Sequence, residues 1–286
     1  MSLAPFVTDF IGNYLADPAT NKLGEGCAEK AWGDFLVGYS SGADPLFLEI
    51  KEHIGPFHWT PLEAFLLGRE TADVDPADLT VVSFALCQTE ATKASNREQT
   101  RYPSERWARS RMYGQACNLG LHVALVDALT SQGHPAVAPS LLHKWGDRQS
   151  SGRGRASNWS ERHVAYISGL GTFGLSGGLI TAKGIAVRFG SVVVQADIPA
   201  TPRPYDGPFA YCLHYSEGTC SECADRCPTG SVSLQGRNKE ACARHLDHVV
   251  PEYVRNEYGF AGYGCGLCQT GVPCESGIPA RLTGSS

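Results

Sequence analysis

The chain has no stretch of about 18 consecutive apolar residues, so a membrane-spanning helix is not expected. Its first residues, MSLAPFVTDFIGNYLADPA, lack a basic n-region, and Asp9 breaks their apolar run, so they do not read as a signal peptide. Positive charge is also short. Lys and Arg number 24 against 29 Asp and Glu, and the net charge is −5 with no basic stripe. That balance argues against nucleic acid as a direct partner. A chain without an export signal is expected to be cytoplasmic, with its thiols reduced.

Cysteine, by contrast, is abundant and unevenly placed. Eight of the eleven cysteines fall between Cys212 and Cys274. The run Cys220-x2-Cys223-x3-Cys227-Pro228 is followed by Cys242 and by Cys265-x2-Cys268-x5-Cys274. Thiolates in such runs hold [4Fe–4S] clusters, and the last cysteine of the bacterial run serves the other cluster. Glu217 stands where the first cysteine of that run belongs, and Cys212 can replace it if Leu213 to Thr219 loops out. The expected ligand sets are Cys212, Cys220, Cys223 and Cys274 for one cluster, and Cys227, Cys242, Cys265 and Cys268 for the second.

Two rivals share the spacing. A disulfide framework suits small secreted chains better than one of this length. Two zinc sites of four cysteines are the stronger rival, because a doubled C-x2-C is also zinc spacing. Cys227-Pro228 after an x3 gap, and the count of eight, favour iron. Cys27, Cys87 and Cys117 are left as small buried hydrophobes.

A two-cluster module leaves about 200 residues for something else. With 42% hydrophobic and 19% charged residues, they can bury an ordinary core. A helix is expected over Pro5 to Leu15, and another from Thr60-Pro61 to Leu67 after an irregular stretch from residue 44. Leu79 to Cys87 (LTVVSFALC) reads as a buried strand. Ser104 to about Thr130 reads as one long helix, and Ala136 to Ala138 as a short strand. Residues 146–158 read as a polar loop, Glu161 to Ser168 as a helix capped by Ser160, and Ile185 to Asp197 as a strand. Pro199 to Pro208 reads as a linker.

Gly169 to Ile180 (GLGTFGLSGGLI) holds five glycines in twelve residues. Gly169-x-Gly171-x-x-Gly174 matches the dinucleotide pattern, and Asp197 closes the following strand, but that pattern needs a strand before it and a helix after it. A turn serving local packing is one alternative reading. Another is a loop whose bare backbone approaches a large flat ligand.

Glu161-Arg162-His163, Gly169 to Gly174, Gly178 to Thr181 and Arg188 to Val192 together resemble the cobalamin-binding core of epoxyqueuosine reductases. Corrinoid reductive dehalogenases share that core, and in both a two-cluster module follows. The resemblance spans roughly residues 100–280. It implies an α/β (α+β) chain, with a nitroreductase-like cobalamin-binding domain over residues 1–200 and a ferredoxin-like lobe with two [4Fe–4S] clusters over 209–286. It implies corrinoid contacts from Gly169, Gly171, Phe173, Gly174, Leu175, Ser176, Gly178 and Leu179. The implied activity is a cobalamin-dependent reductase fed by a low-potential donor of ferredoxin or flavodoxin type. The alternative is an electron-transfer or cobalamin-handling protein without an organic substrate.

One departure bears on that activity. Epoxyqueuosine reductases carry Arg-Asp-Tyr-His with the aspartate as proton donor, and this chain has Arg111-Met112-Tyr113-Gly114. A thioether donates no proton. Tyr113 becomes the candidate catalytic donor, set against the plainer reading of an aromatic packed on a helix face. Arg111 is a candidate for a substrate carboxylate, Arg153 and Arg155 for cofactor phosphates, and His163 for a metal or corrin. His214 is a candidate hydrogen-bond donor to cluster sulfur.

Overall fold

The computed structural model describes residues 3–69, 73–152 and 154–283. Helix α1 (Leu3–Ala16) precedes strand β1 (Trp32–Ser41), helices α2 (Leu46–Ile54) and α3 (Pro61–Gly68), and strand β2 (Leu79–Gln88). Helices α4 (Glu90–Arg97), α5 (Glu105–Arg109) and α6 (Gln115–Ser131) follow, then the short strand β3 (Ala136–Val137). The hairpin β4 (Asp147–Ser150) and β5 (Gly154–Ser157) leads to α7 (Glu161–Ile167). A second hairpin, β6 (Gly171–Phe173) and β7 (Leu179–Thr181), enters β8 (Val187–Gln195). Among the described residues no helix is long and apolar enough to cross a membrane.

Four strands form an antiparallel sheet of order β1-β2-β8-β3. All ten residues of β2 are buried, which explains its largely apolar sequence, broken only by Thr80, Ser83 and Gln88. Such runs are typical of parallel strands, but helices covering both faces of an antiparallel sheet impose the same demand. On one face, Val7 and Ile11 of α1 and Leu121, Leu125 and Leu129 of α6 meet Val82, Phe84 and Val192. On the other, Phe47, Phe65, Val164 and Ile167 meet Leu79, Val81 and Val193. Fully burying each such side chain is worth about 1.5–3 kcal/mol.

Several expectations shift. The stretch after residue 44 is not irregular, because α2 occupies it. The long helix is interrupted between α5 and α6 by a π turn, Ser110–Gly114. Tertiary contacts accompany it: Ser110 Oγ turns inward to Gln88 Oε1 at 2.8 Å, and Gly114 lies under the Trp32 ring. The polar stretch 146–158 is largely the β4–β5 hairpin. The segment 199–208 has no regular structure but is pinned, by the Thr201 amide to the Tyr39 carbonyl (2.9 Å) and by Arg203 to Asp44 (2.6 Å).

The cysteine-rich lobe is built of short helices, including Leu213–Glu217, Glu222–Asp225, Lys239–Arg244 and Val250–Tyr258. Helix α4 bolts it to the sheet. Asn96 donates to Thr270 Oγ1 at 3.0 Å, Arg97 pairs with Glu275 at 2.7 Å, and Arg226 donates to the carbonyls of Asn96 and Gln99. The Ile185 amide also donates to the Cys274 carbonyl at 2.8 Å.

Candidate functional site

All eleven cysteines are free thiols, so no disulfide framework is present. The eight in the lobe sort into two groups. Cys212, Cys220, Cys223 and Cys274 line one small pocket with Leu175, Ser176, Ile180 and Ile185. Cys274 lies within electrostatic reach of Cys223, Cys212 and Cys220, and Cys265 within reach of Cys268, Cys242 and Cys227. Cys223 and Cys268 bring the groups together at their boundary. Leu213 to Thr219, expected to loop out, is instead a helical turn closed by left-handed Gly218, and it carries Cys212 into place.

The thiols differ in environment. Burial pushes Cys223 and Cys265 up to about 12 and Cys268 up to about 11. Cys227 differs: burial raises it, but hydrogen bonds from Thr229 and from the amides of Val232, Thr229 and Ser231 pull it below its ordinary value. Cys227 Sγ lies 3.4 Å from the Val232 amide, and Arg237 Nη2 lies 3.0 Å from Cys242 Sγ. A zinc ion holds sulfur at about 2.3 Å, which crowds its ligands within ~4 Å of one another. Among the described residues no three His, Cys, Asp or Glu side chains stand close enough to share one ion.

A second feature adjoins the second group. Arg162, at the start of α7, is exposed to solvent yet surrounded by protein, so it lines a recess rather than a convex surface. Burial and the nearby Arg237 push its guanidinium down to about 10, with Cys268, Arg111 and Cys242 also in range. Arg111, in the π turn, lies over the Tyr263 ring at 4.6 Å. His163 lies against Phe173, ring centroids 4.9 Å apart, and its Nδ1 is 2.7 Å from Ser160 Oγ. Ser160 thus bonds that histidine instead of capping the helix. Burial and the neighbouring His58 push His163 down to about 3, so the imidazole is neutral.

The glycine segment is accounted for largely by the chain's own close approaches. A Cβ on Gly171 would strike the Ile180 carbonyl, one on Gly178 the Ile185 side chain, and one on left-handed Gly169 the Pro202 carbonyl. The Gly174 amide closes the turn on the Gly178 carbonyl at 2.8 Å. Helix α7 precedes this hairpin and a strand follows it, so the strand-turn-helix context of a dinucleotide site is missing. Leu175 and Ser176 face the first thiol pocket, Phe173 faces His163, and Leu179 is buried beside Phe189.

Other candidates fall elsewhere. Tyr113 packs against Gly24, while Arg111 turns toward Tyr263 and Gly264. Arg155 is clamped by Asp147 and Asp247, and Arg153 lies outside the described residues. His214 meets the carbonyls of Cys220 and Leu234, not a thiol. Sequence reasoning missed Arg237 and Tyr263, and treated Arg162 and Arg188 only as part of a motif.

No family model matches the chain. The fold is of the kind found in a catabolic reductive dehalogenase solved in complex with 3-bromo-4-hydroxybenzoic acid, to which it is similar with TM-score 0.51 and 13% identity, covering 86% of this chain and 30% of that one. At that identity the likeness speaks to fold alone, a mixed helix-and-sheet chain. In sequence the chain is related to epoxyqueuosine reductases. It is 30% identical over 143 residues to the one from Bacillus anthracis and 36% identical over 124 residues to the one from Staphylococcus aureus. These matches cover 48% and 42% of this chain and 35% and 30% of the relatives. The chain thus spans about a third of the length of the curated relatives it matches.

Proposed function

We propose that the chain is an iron–sulfur, cobalamin-dependent reductase related to epoxyqueuosine reductases, with two [4Fe–4S] clusters in its C-terminal lobe and a corrinoid in the adjoining recess. The observation that carries the reading is the sorting of eight thiols into Cys212/Cys220/Cys223/Cys274 and Cys227/Cys242/Cys265/Cys268. The donor chemistry fits, because Cys227 and Cys242 also receive hydrogen bonds at sulfur. The recess fits a large polar ring in that it keeps a deeply enclosed Arg162 in solvent.

When bound, the clusters supply single electrons at low potential and the corrinoid a strongly reducing, nucleophilic cobalt. The chain's own part is to hold and orient. Arg237 and the Val232 amide favour the more negative state of the second cluster by bonding its thiolates. Cys223 and Cys268 set the two groups side by side. A carrier of ferredoxin or flavodoxin type would supply the electrons.

An epoxide substrate would make one specific demand. Opening it needs a proton on the departing oxygen, a step that general acid catalysis speeds by about 10²–10⁴-fold. Met112 provides none, and Tyr113 packs against Gly24. Tyr263, beneath the Arg111 guanidinium, is the phenol placed beside the recess and takes the proton-donor role in this reading.

Electron paramagnetic resonance of the anaerobic, dithionite-reduced protein tests the reading. Two interacting cluster signals, and altered visible bands on adding cobalamin, are expected. A colourless, zinc-containing protein would sink it.

A further inference from the structure

The guanidinium groups of Arg111, Arg162, Arg188 and Arg237 lie within electrostatic reach of one another at the recess, with none of the four in an ion pair among the described residues. Arg188 Nε donates to Gln115 Oε1 at 2.8 Å, and Arg111 Nη1 lies 3.5 Å from the same oxygen. Two cations therefore share one neutral acceptor. Arg237 spends its bond on Cys242 Sγ. Arg162 has no hydrogen bond or ion pair among the described residues. Elsewhere the fold pairs arginine with acid: Arg97 with Glu275, Arg106 with Glu29, Arg155 with Asp147 and Asp247, and Arg203 with Asp44.

Glu161 is within electrostatic reach of Arg188, but no ion pair joins the two among the described residues. Glu161 Oε2 accepts from Ser191 Oγ at 2.6 Å, and Oε1 faces His122 at 3.8 Å. Burial and the neighbouring Arg111 push the Arg188 guanidinium down to about 9, with Tyr263 and Glu161 opposing only in part. Like charges gathered in one place repel unless an anion comes between them, and an arginine fork is shaped for an oxyanion.

We propose that this recess is an oxyanion site in which Arg162 and Arg188, flanked by Arg111, take the carboxylate or phosphate of the molecule reduced there. The identity of that molecule as a substrate rests on the reductase reading; the anion binding does not. The site would favour an acidic substrate over a neutral one and hold it beside the second thiol group and Tyr263.

The test is calorimetric titration of the cluster-loaded full chain, at constant ionic strength, with inorganic pyrophosphate and, separately, with benzoate. One saturable site per chain is expected for at least one probe, and the probe that binds tells phosphate from carboxylate. Arg162→Gln and Arg188→Gln should each weaken binding about tenfold or more, as loss of a charge-assisted bond implies. Arg162→Lys should restore part of it, showing that charge and not folding is lost. Arg148→Gln, whose guanidinium meets only the carbonyls of Asp147 and Lys144, should bind like the parent. No saturable binding of either probe, or equal weakening in Arg148→Gln, overturns the proposal. Iron and cobalamin content measured on the same samples judges the reductase reading separately.

Discussion

The guanidinium of Arg237 stands 3.0 Å from Sγ of Cys242, a charged donor on one of the eight lobe thiols. A hydrogen bond to a cluster thiolate is stronger when the cluster is reduced, so it raises the potential. Arg237→Gln is therefore expected to lower the midpoint potential of one cluster and leave the other unchanged. The shift should be on the order of 60 mV, the one-electron equivalent of about 1.4 kcal/mol. A redox titration followed by electron paramagnetic resonance reads it, and identical potentials would remove Arg237 from the site.

Cys227→Ser should cost one cluster and spare the other. Iron is expected to fall from about eight to about four per chain, with a lower melting temperature, because metal binding contributes to folding. Full iron content in that variant would break the assignment of Cys227 to the second group.

The joint between sheet and lobe is sensitive at Gly184. Its φ is +89°, and an added Cβ would meet the Glu275 carbonyl. Gly184→Ala should lose at least about 2 kcal/mol, combining the left-handed penalty with a forced shift of the lobe. Gly133 has φ +85° with nothing within 4 Å of its Cβ position, so Gly133→Ala should cost only the backbone part. Urea unfolding of the pair isolates the close approach, and equal losses would contradict it.

Glu63 gives a pH dependence with a defined sign. Burial pushes its carboxyl up, but hydrogen bonds from Lys51 and from the Thr60 amide outweigh this and hold it below its ordinary 4.5. A depressed carboxyl stabilises the fold fully above its unfolded value and loses that contribution as pH falls through the folded value. Stability should decline below about pH 4.5 less steeply in Glu63→Gln than in the parent. Glu63→Gln should also be less stable near neutrality, because the Thr60–Glu63 capping box and the Lys51 pair at 2.6 Å are weakened. Parallel acid-unfolding curves for the two proteins would count against this.

Local sequence carried the elements that obey one simple rule. The apolar, β-branched run of β2 announced a buried strand, and Thr60-Pro61 announced the start of α3. The cysteine spacing was legible because it is a matter of short-range order, whereas which thiols come together depends on the folded lobe. Strand β1 was missed because Asp34, Ser40 and Ser41 dilute its pattern and part of it is exposed. The π turn at Ser110–Gly114 was hidden because what accompanies it, Ser110 reaching Gln88, is a tertiary contact. The arginine recess was least legible. Residues 111, 162, 188 and 237 come from four elements, and only folding brings them to one place. The glycines of residues 169–178 misled in the other direction, since the hairpin itself needs most of them.

Iron and cobalamin content of the anaerobically purified, cluster-reconstituted full chain, with its visible spectrum, tests the central claim most directly. The account predicts about eight irons per chain and one tightly retained cobalamin. Zinc in place of iron, or eight irons with no cobalamin retained after gel filtration, would contradict it.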